Sequence, residues 1–344
     1  MNQIPALDGL RSAAILIVLI GHIGFGWIVP GGFGVTLFFF LSGYLITSSL
    51  ATEIEHSGTI NYRTFYIKRI IRIFPPMYFA IILALCLSAL ELTPTPALAQ
   101  HVWTDFLFLS NYADLFGESS QINIPLWSLD VEEHYYLLFP LMLSAIWARN
   151  RSRVTVVLFA LCFAILLVRI GYVSSGQNVE KIYYWSHTRI DGILFGSILA
   201  LWHNPSKANA PQNAIHWSRL AIGSVLILST FVIRDEAFRE TVRYTVQGIG
   251  LMFVFTFCIQ DRGVIAKLLS SAPLKWVALL SYTLYLVHYP LFEAAQILIE
   301  NEILAKLSGL AISFGVSQLV YLYIERPAFA FRQFLLRKAI TKQN

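Results

Sequence analysis

Ten apolar runs divide this chain, at about residues 12–29, 33–50, 74–92, 134–148, 154–173, 190–203, 218–233, 242–260, 276–299 and 303–325. A membrane helix needs about 20 mostly apolar residues. Backbone that crosses lipid must satisfy its own hydrogen bonds, and runs of this length can do so as helices. The pattern therefore predicts an all-α, polytopic integral membrane bundle of about ten transmembrane helices, with the runs at 134–148 and 190–203 the shortest. Only 13% of residues are charged and 56% are hydrophobic, against about 25% charged in soluble domains. No polar stretch approaches the roughly 100 residues of a separate domain. One membrane domain is expected over 1–330, followed by a short basic cytosolic tail over 331–344.

The first run has no Lys or Arg before it and no small-residue cleavage site after it, so it reads as a retained span. Ten crossings with the N-terminus inside place 18 Lys and Arg on the inner side, Arg149 and Lys342 among them, and 6 on the outer side, with Arg169 inside a span. That bias predicts cytosolic termini. The connection from about 93 to 133 has no Lys or Arg and reads as a long, partly structured outer loop of the kind that often carries function.

Several function classes drop out. Cys86, Cys162 and Cys258 lie singly in apolar runs, which suggests neither a disulfide framework nor a zinc site, and no metal is expected. The net charge of +5 is scattered over short loops, as insertion signals are, so nucleic acid is not an expected partner. The sequence has no repeat and no matched pair of broken spans of the sort that marks an inverted-repeat transporter, which weakens a transport reading without excluding it.

Ionisable groups in or beside a span are costly and mark candidate sites. Arg11 and His22 are eleven residues apart, so on a regular helix they share one face about 16 Å apart. Arg11 also fits a positive-inside anchor, and His22 a packing hydrogen bond. Ser42 and Gly43 form a small-residue notch in an aromatic span; packing is the primary reading, because no base stands near Ser42 in sequence. Arg69 and Arg72, three apart at the end of an inner loop, could clamp a phosphate with forked donors or anchor lipid headgroups. Asp130, Glu132, Glu133 and His134 cluster at the mouth of a span. Asp130 and Glu133 suit a helix N-terminus, whereas Glu132 could orient an imidazole for proton transfer. At Arg189 and Asp191 an ion pair is the default reading. His288 is a second intramembrane histidine one turn after Tyr285, and packing and catalysis both fit it.

These motifs line up with a known family. The sequence resembles the membrane-bound acyltransferase-3 family, which O-acylates cell-surface polysaccharides, lipid-linked sugars and some antibiotics. The resemblance rests on Leu7 to Arg11 with His22, Gly34 to Tyr44, Phe65 to Pro75, Trp127-Ser128-Leu129 with Glu132, Arg189 with Asp191, Ser281 to Pro290, and Tyr323 to Pro327. It implies a ten-helix bundle in a bacterial inner membrane that passes an acyl group, acetyl first among the options, from cytosolic acyl-CoA to a saccharide hydroxyl. The donor is then a co-substrate, with no tightly bound cofactor. By position, Arg11 and His22 correspond to the family's essential first-helix pair, Arg69 and Arg72 to coenzyme A contacts, and Glu132 to an acidic partner. Ser42, Ser128, Arg189, Asp191, Tyr285 and His288 fall in supporting motifs. The implied partners are the lipid bilayer, acyl-CoA and the saccharide; a second copy of the chain is left open. Many members append an outer hydrolase-like domain, which is not expected of a chain with a basic tail soon after Pro327. The competing reading is a flippase or exporter of lipid-linked sugars or small anions; a non-catalytic scaffold would leave the buried charges without a purpose.

Overall fold

The structure, a computed structural model, describes residues 4–27, 30–117, 119–120, 122, 125–148, 150–176, 179–207 and 214–341. The helices are, in chain order, α1 (Pro5–Ile20), α2 (Gly31–Ser57), α3 (Tyr62–Ala89), α4 (Trp103–Phe106), α5 (Leu126–Trp147), α6 (Arg151–Ser174), α7 (Ser186–Arg189), α8 (Asp191–Trp202), α9 (Ala214–Val232), α10 (Glu236–Glu240), α11 (Val242–Gln260), α12 (Val264–Leu269), α13 (Ala272–Leu298), α14 (Glu302–Val320) and α15 (Arg326–Thr341). π-Helical turns continue α1 through Gly21–Phe25 and join α14 to α15 through Tyr321–Glu325. No strand occurs among the described residues.

Each expected apolar run falls on a helix, although residues 28 and 29 of the first lie outside the described residues, as do Arg149 and Lys342 of the charge bias. Among the described residues, six segments are long and apolar enough to cross a membrane: Pro5–Phe25, Gly31–Ser57, Tyr62–Ala89, Arg151–Ser174, Val242–Gln260 and Glu302–Leu336. Two more apolar helices are shorter, Asp191–Trp202 and Trp217–Val232. The remaining two, α5 and α13, are long but carry charged residues.

Three helix starts, those of α1, α3 and α5, lie well upstream of the apolar runs. α1 begins at Pro5, whose fixed φ and missing N–H suit a first turn. α3 begins at Tyr62, where the Asn61 side chain accepts from the Thr64 N–H at 2.9 Å, and it continues through Pro75 and Pro76. Arg69 and Arg72 are therefore on a helix, not in a loop. α5 begins at Leu126, so Asp130 to His134 lie within it rather than at its mouth. Charges had masked both segments, because a helix needs apolarity on its packed side only. Between α3 and α5 the connection holds α4 and two short 3₁₀ turns. Burial there pushes the Asp105 carboxyl up to about 6.

The chain divides into two compact units, Met1–Thr59 with Ser128–Ala278, and Ile60–Trp127 with Leu279–Asn344. In the first, α2 packs most extensively on α8. A β-carbon on Gly43 would lie 1.9 Å from the Ile193 carbonyl oxygen, and one on Gly196 would lie 2.1 Å from that of Phe40. Gly192 and Gly196, four apart on α8, are thus half of a small-residue seam that lets two backbones meet. A β-carbon on Gly34 would likewise lie 2.5 Å from the Ala14 carbonyl oxygen, which fixes α2 against α1.

The first unit also buries an ion pair. Arg169 on α6 is 0% exposed and Asp191 at the start of α8 is 1% exposed, with Nη2 and Oδ2 2.8 Å apart. The guanidinium also donates to the Thr188 carbonyl at 2.7 Å and the Thr245 hydroxyl at 2.9 Å, while Asp191 Oδ1 accepts from the Gly192 N–H at 3.0 Å. In the second unit α3 packs on α15 and on the π turn before it. Tyr282 donates to the Ile73 carbonyl at 2.9 Å, just before the paired prolines of α3.

The buried pair gives a stability test. Arg169→Met strands the Asp191 carboxylate and is expected to cost about 3–5 kcal/mol. The double variant Arg169→Met with Asp191→Leu removes both charges and is expected to recover most of that loss. Thermal unfolding of the detergent-solubilised variants measures both, and a double variant no more stable than the single one would refute the account.

Candidate active site

His22 stands where α1 stops being regular. It lies in the π turn Gly21–Phe25, which contains Gly24 at φ 110°. The ring is exposed, at the end of the segment opposite Arg11 rather than in its middle. A π turn closes its hydrogen bonds one residue later than an α turn, so the face-sharing computed for a uniform helix does not carry through to His22. Nδ1 is 2.9 Å from the Val18 carbonyl oxygen. A carbonyl can only accept, so Nδ1 carries the proton, and in the neutral ring Nε2 is the basic nitrogen. Arg11 pairs with Asp8 at 3.5 Å one turn earlier, with both side chains partly exposed.

Glu132 of α5 is brought to Ser42, 90 positions away in sequence. Its Oε1 accepts from the Ser42 hydroxyl at 2.9 Å, and its Oε2 accepts from Tyr136, one turn on, at 2.8 Å. Gly43 faces α8 while its neighbour Ser42 faces α5, so the small-residue notch both packs and presents a hydroxyl. Around it, the Tyr135 hydroxyl meets Thr47 at 3.0 Å and Ser197 at 2.9 Å, and His134 Nδ1 meets the Ser186 hydroxyl at 2.7 Å. Ser128 and Asp130 are buried in the first turns of the same helix.

Asp191, expected to form an ion pair with Arg189, is paired with Arg169. Arg189 is 2% exposed. Its guanidinium lies over the rings of Tyr244 at 4.0 Å and Tyr183 at 4.8 Å, and donates to the Tyr183 carbonyl at 3.1 Å. Sequence gave no sign of the Arg169 partnership, since 22 positions separate the two residues. The only available signal was an arginine inside an otherwise apolar run.

In the second unit, Arg69 lies 5.8 Å from the Phe65 ring centroid. Arg72 is within electrostatic reach of Glu325 and Arg332. Glu325 is 5% exposed and accepts from the Thr283 hydroxyl. Arg332, read from sequence only as part of a basic tail, thus belongs to the surroundings of the expected phosphate clamp. Tyr285 donates to the Pro125 carbonyl at 3.1 Å. His288 is fully buried, and its Nδ1 contacts the carbonyls of Tyr285 at 2.7 Å and Leu284 at 3.1 Å. Those contacts again put the proton on Nδ1.

Comparison with known proteins finds named relatives over nearly the whole of this chain. A protein of Listeria monocytogenes named peptidoglycan O-acetyltransferase is 29% identical over 354 residues, covering 95% of this chain and 56% of the relative. A Bacillus subtilis protein provisionally named peptidoglycan O-acetyltransferase is 29% identical, covering 95% of this chain and 55% of the relative. A Staphylococcus aureus protein provisionally named O-acetyltransferase is 28% identical, with 95% and 57% covered. The chain therefore spans a little over half the length of these curated relatives. No solved structure matches it. The family model described as an acyltransferase domain matches residues 4–322, nearly the whole chain, which therefore belongs to the acyltransferase-3 family.

Proposed function

We propose that this protein moves an acyl group, acetyl by analogy with its relatives' names, from acyl-CoA to a hydroxyl of a cell-surface or lipid-linked saccharide. Its expected setting is a bacterial inner membrane, with both termini in the cytosol. The observation that carries the reading is His22, whose Nδ1 is held by the Val18 carbonyl at 2.9 Å, which makes Nε2 the basic nitrogen of the neutral ring. In this scheme Nε2 takes the proton of the acceptor hydroxyl as its oxygen attacks the thioester carbonyl. The tetrahedral centre then collapses, the C–S bond breaks, and the imidazolium returns the proton to the departing thiolate. The products are the O-acyl saccharide and coenzyme A.

Arg69 and Arg72 hold the donor's phosphates, and Arg332 adds positive potential beside Arg72. Arg11 is the second essential group of the first helix. Glu132 fixes the Ser42 and Tyr136 hydroxyls. That contact also supports a variant route in which Ser42, deprotonated by Glu132, carries the acyl group before the saccharide does.

Mass spectrometry of surface glycans and lipid-linked intermediates, with and without the gene, tests the function. Loss of one acyl mass restored by the wild type supports it; unchanged acylation with accumulating lipid-linked sugar points to transport instead. His22→Ala should lower transfer by about 10²–10⁴-fold while the protein stays folded, and wild-type rates in that variant would remove His22 as the base. Arg69→Gln with Arg72→Gln should raise the donor KM at least about 10-fold with a smaller effect on kcat. An unchanged donor KM would refute the clamp.

A further inference from the structure

A cavity of about 580 Å³ opens in the first unit, lined in part by Gly26, Trp27, Phe33, Tyr184 and Phe231. That volume is in the range of small-molecule sites, about 300–1,000 Å³. We infer that this cavity is where the acceptor saccharide docks, and that it favours a pyranose carrying an acidic group. The inference rests on the acyl-transfer reading above, and three independent features of the cavity support it.

The first is position. Gly26 and Trp27 follow directly on the π turn that holds His22. A β-carbon on Gly26 would lie 3.0 Å from the Gly21 carbonyl oxygen, and one on Gly31 would lie 3.6 Å from that of Val18. The Val18 carbonyl is the one that orients His22. One short stretch of backbone thus forms both a wall of the cavity and the seat of the histidine. On the other side, a β-carbon on Gly32 would lie 2.5 Å from the Tyr183 hydroxyl, so that wall is closed by direct contact.

The second is the chemistry of the lining. A pyranose has apolar C–H faces and a polar edge of hydroxyls, so its sites combine flat rings with planar polar groups. Trp27 is 74% exposed and Tyr184 37% exposed at this cavity. Phe33 and Phe231 meet edge to face, with centroids 5.3 Å apart. Glutamate, arginine and the Gln247 amide complete the lining. Aromatic residues that merely belt a membrane interface have no need of this polar set.

The third is charge. The lining holds Arg234, Arg239 and Arg243 against Glu236 and Glu240. Glu240 is engaged by Arg243 at 3.7 Å and by the Tyr244 hydroxyl at 3.5 Å. Among the described residues no carboxylate pairs with Arg234 or Arg239, so the lining carries two arginines beyond the Arg243–Glu240 pair against one further carboxylate, Glu236. Guanidinium forks match a carboxylate in two parallel hydrogen bonds.

The test uses the full chain in lipid nanodiscs, with N-acetylmuramic acid and N-acetylglucosamine as probes. The two share a sugar ring and differ by a lactyl carboxylate. Saturation-transfer NMR without donor should show the wild type binding the acidic sugar about 10-fold more tightly. Arg234→Gln with Arg239→Gln should abolish that preference while the neutral sugar still binds, which also reports that the variant is folded. Trp27→Ala should weaken both sugars. With acetyl-CoA present, the arginine variant should raise the KM of the acidic sugar relative to the neutral one. A wild type that binds neither sugar, or an arginine variant that keeps the preference, overturns the inference. Cavity-dependent binding without any transfer by the wild type would instead refute the acyl-transfer reading.

Discussion

A guanidinium and a carboxylate shut away from water hold the first unit together. Neither Arg169 nor Asp191 could be buried alone, since the desolvation cost of an isolated charge amounts to several kcal/mol. Their mutual contact, at 2.8 Å, ties α6 to α8. The terminal nitrogens of Arg169 also reach the Thr188 carbonyl on α7 and the Thr245 hydroxyl on α11. Four helices, α6, α7, α8 and α11, thus meet at one group. Asp191 also sits at the N-terminal end of α8, where the helix dipole favours negative charge. With α8 fixed in this way, the glycine seam against α2 sets where Ser42 can point.

Candidate chemistry in this protein is found where helices depart from regularity. His22 lies in one π turn and Glu325 in another. Arg69 and Arg72 precede two consecutive prolines that remove N–H donors from α3. Polar side chains can bond to backbone carbonyls in lipid where water cannot. The Val18 carbonyl orients His22, and the Ile73 carbonyl receives Tyr282. Such contacts beside irregular helix are one means by which an apolar bundle positions polar groups, and the Ser42–Glu132 contact between regular helices is another.

The first unit also shows how one segment can serve several purposes. Residues 18–34 contain the acceptor of the His22 bond, the His22 turn, part of a cavity wall and the glycine contact that seats α2 on α1. Arg189 stacks on Tyr183 and Tyr244, both of which line the cavity. Its cation packs against both rings. Packing and binding are thus carried by the same side chains.

The sequence by itself determined the membrane character, the existence of the long helices and most of the candidate residues, because hydropathy and costly intramembrane charge are local properties. His22, Glu132, Arg69 and Arg72 were all legible on that basis. Helix starts at α3 and α5 were hidden, since charged residues interrupt the apolar runs without interrupting the helices. The partners were hidden more completely. Glu132 as acceptor for Ser42, Arg169 as counter-ion of Asp191, and Arg332 and Glu325 beside Arg72 join residues tens to hundreds of positions apart. Only the tertiary structure decided those pairings. A charge in a low-dielectric interior must find a partner, but which partner depends on how closely helix backbones can approach, and that is settled by contacts between distant parts of the chain.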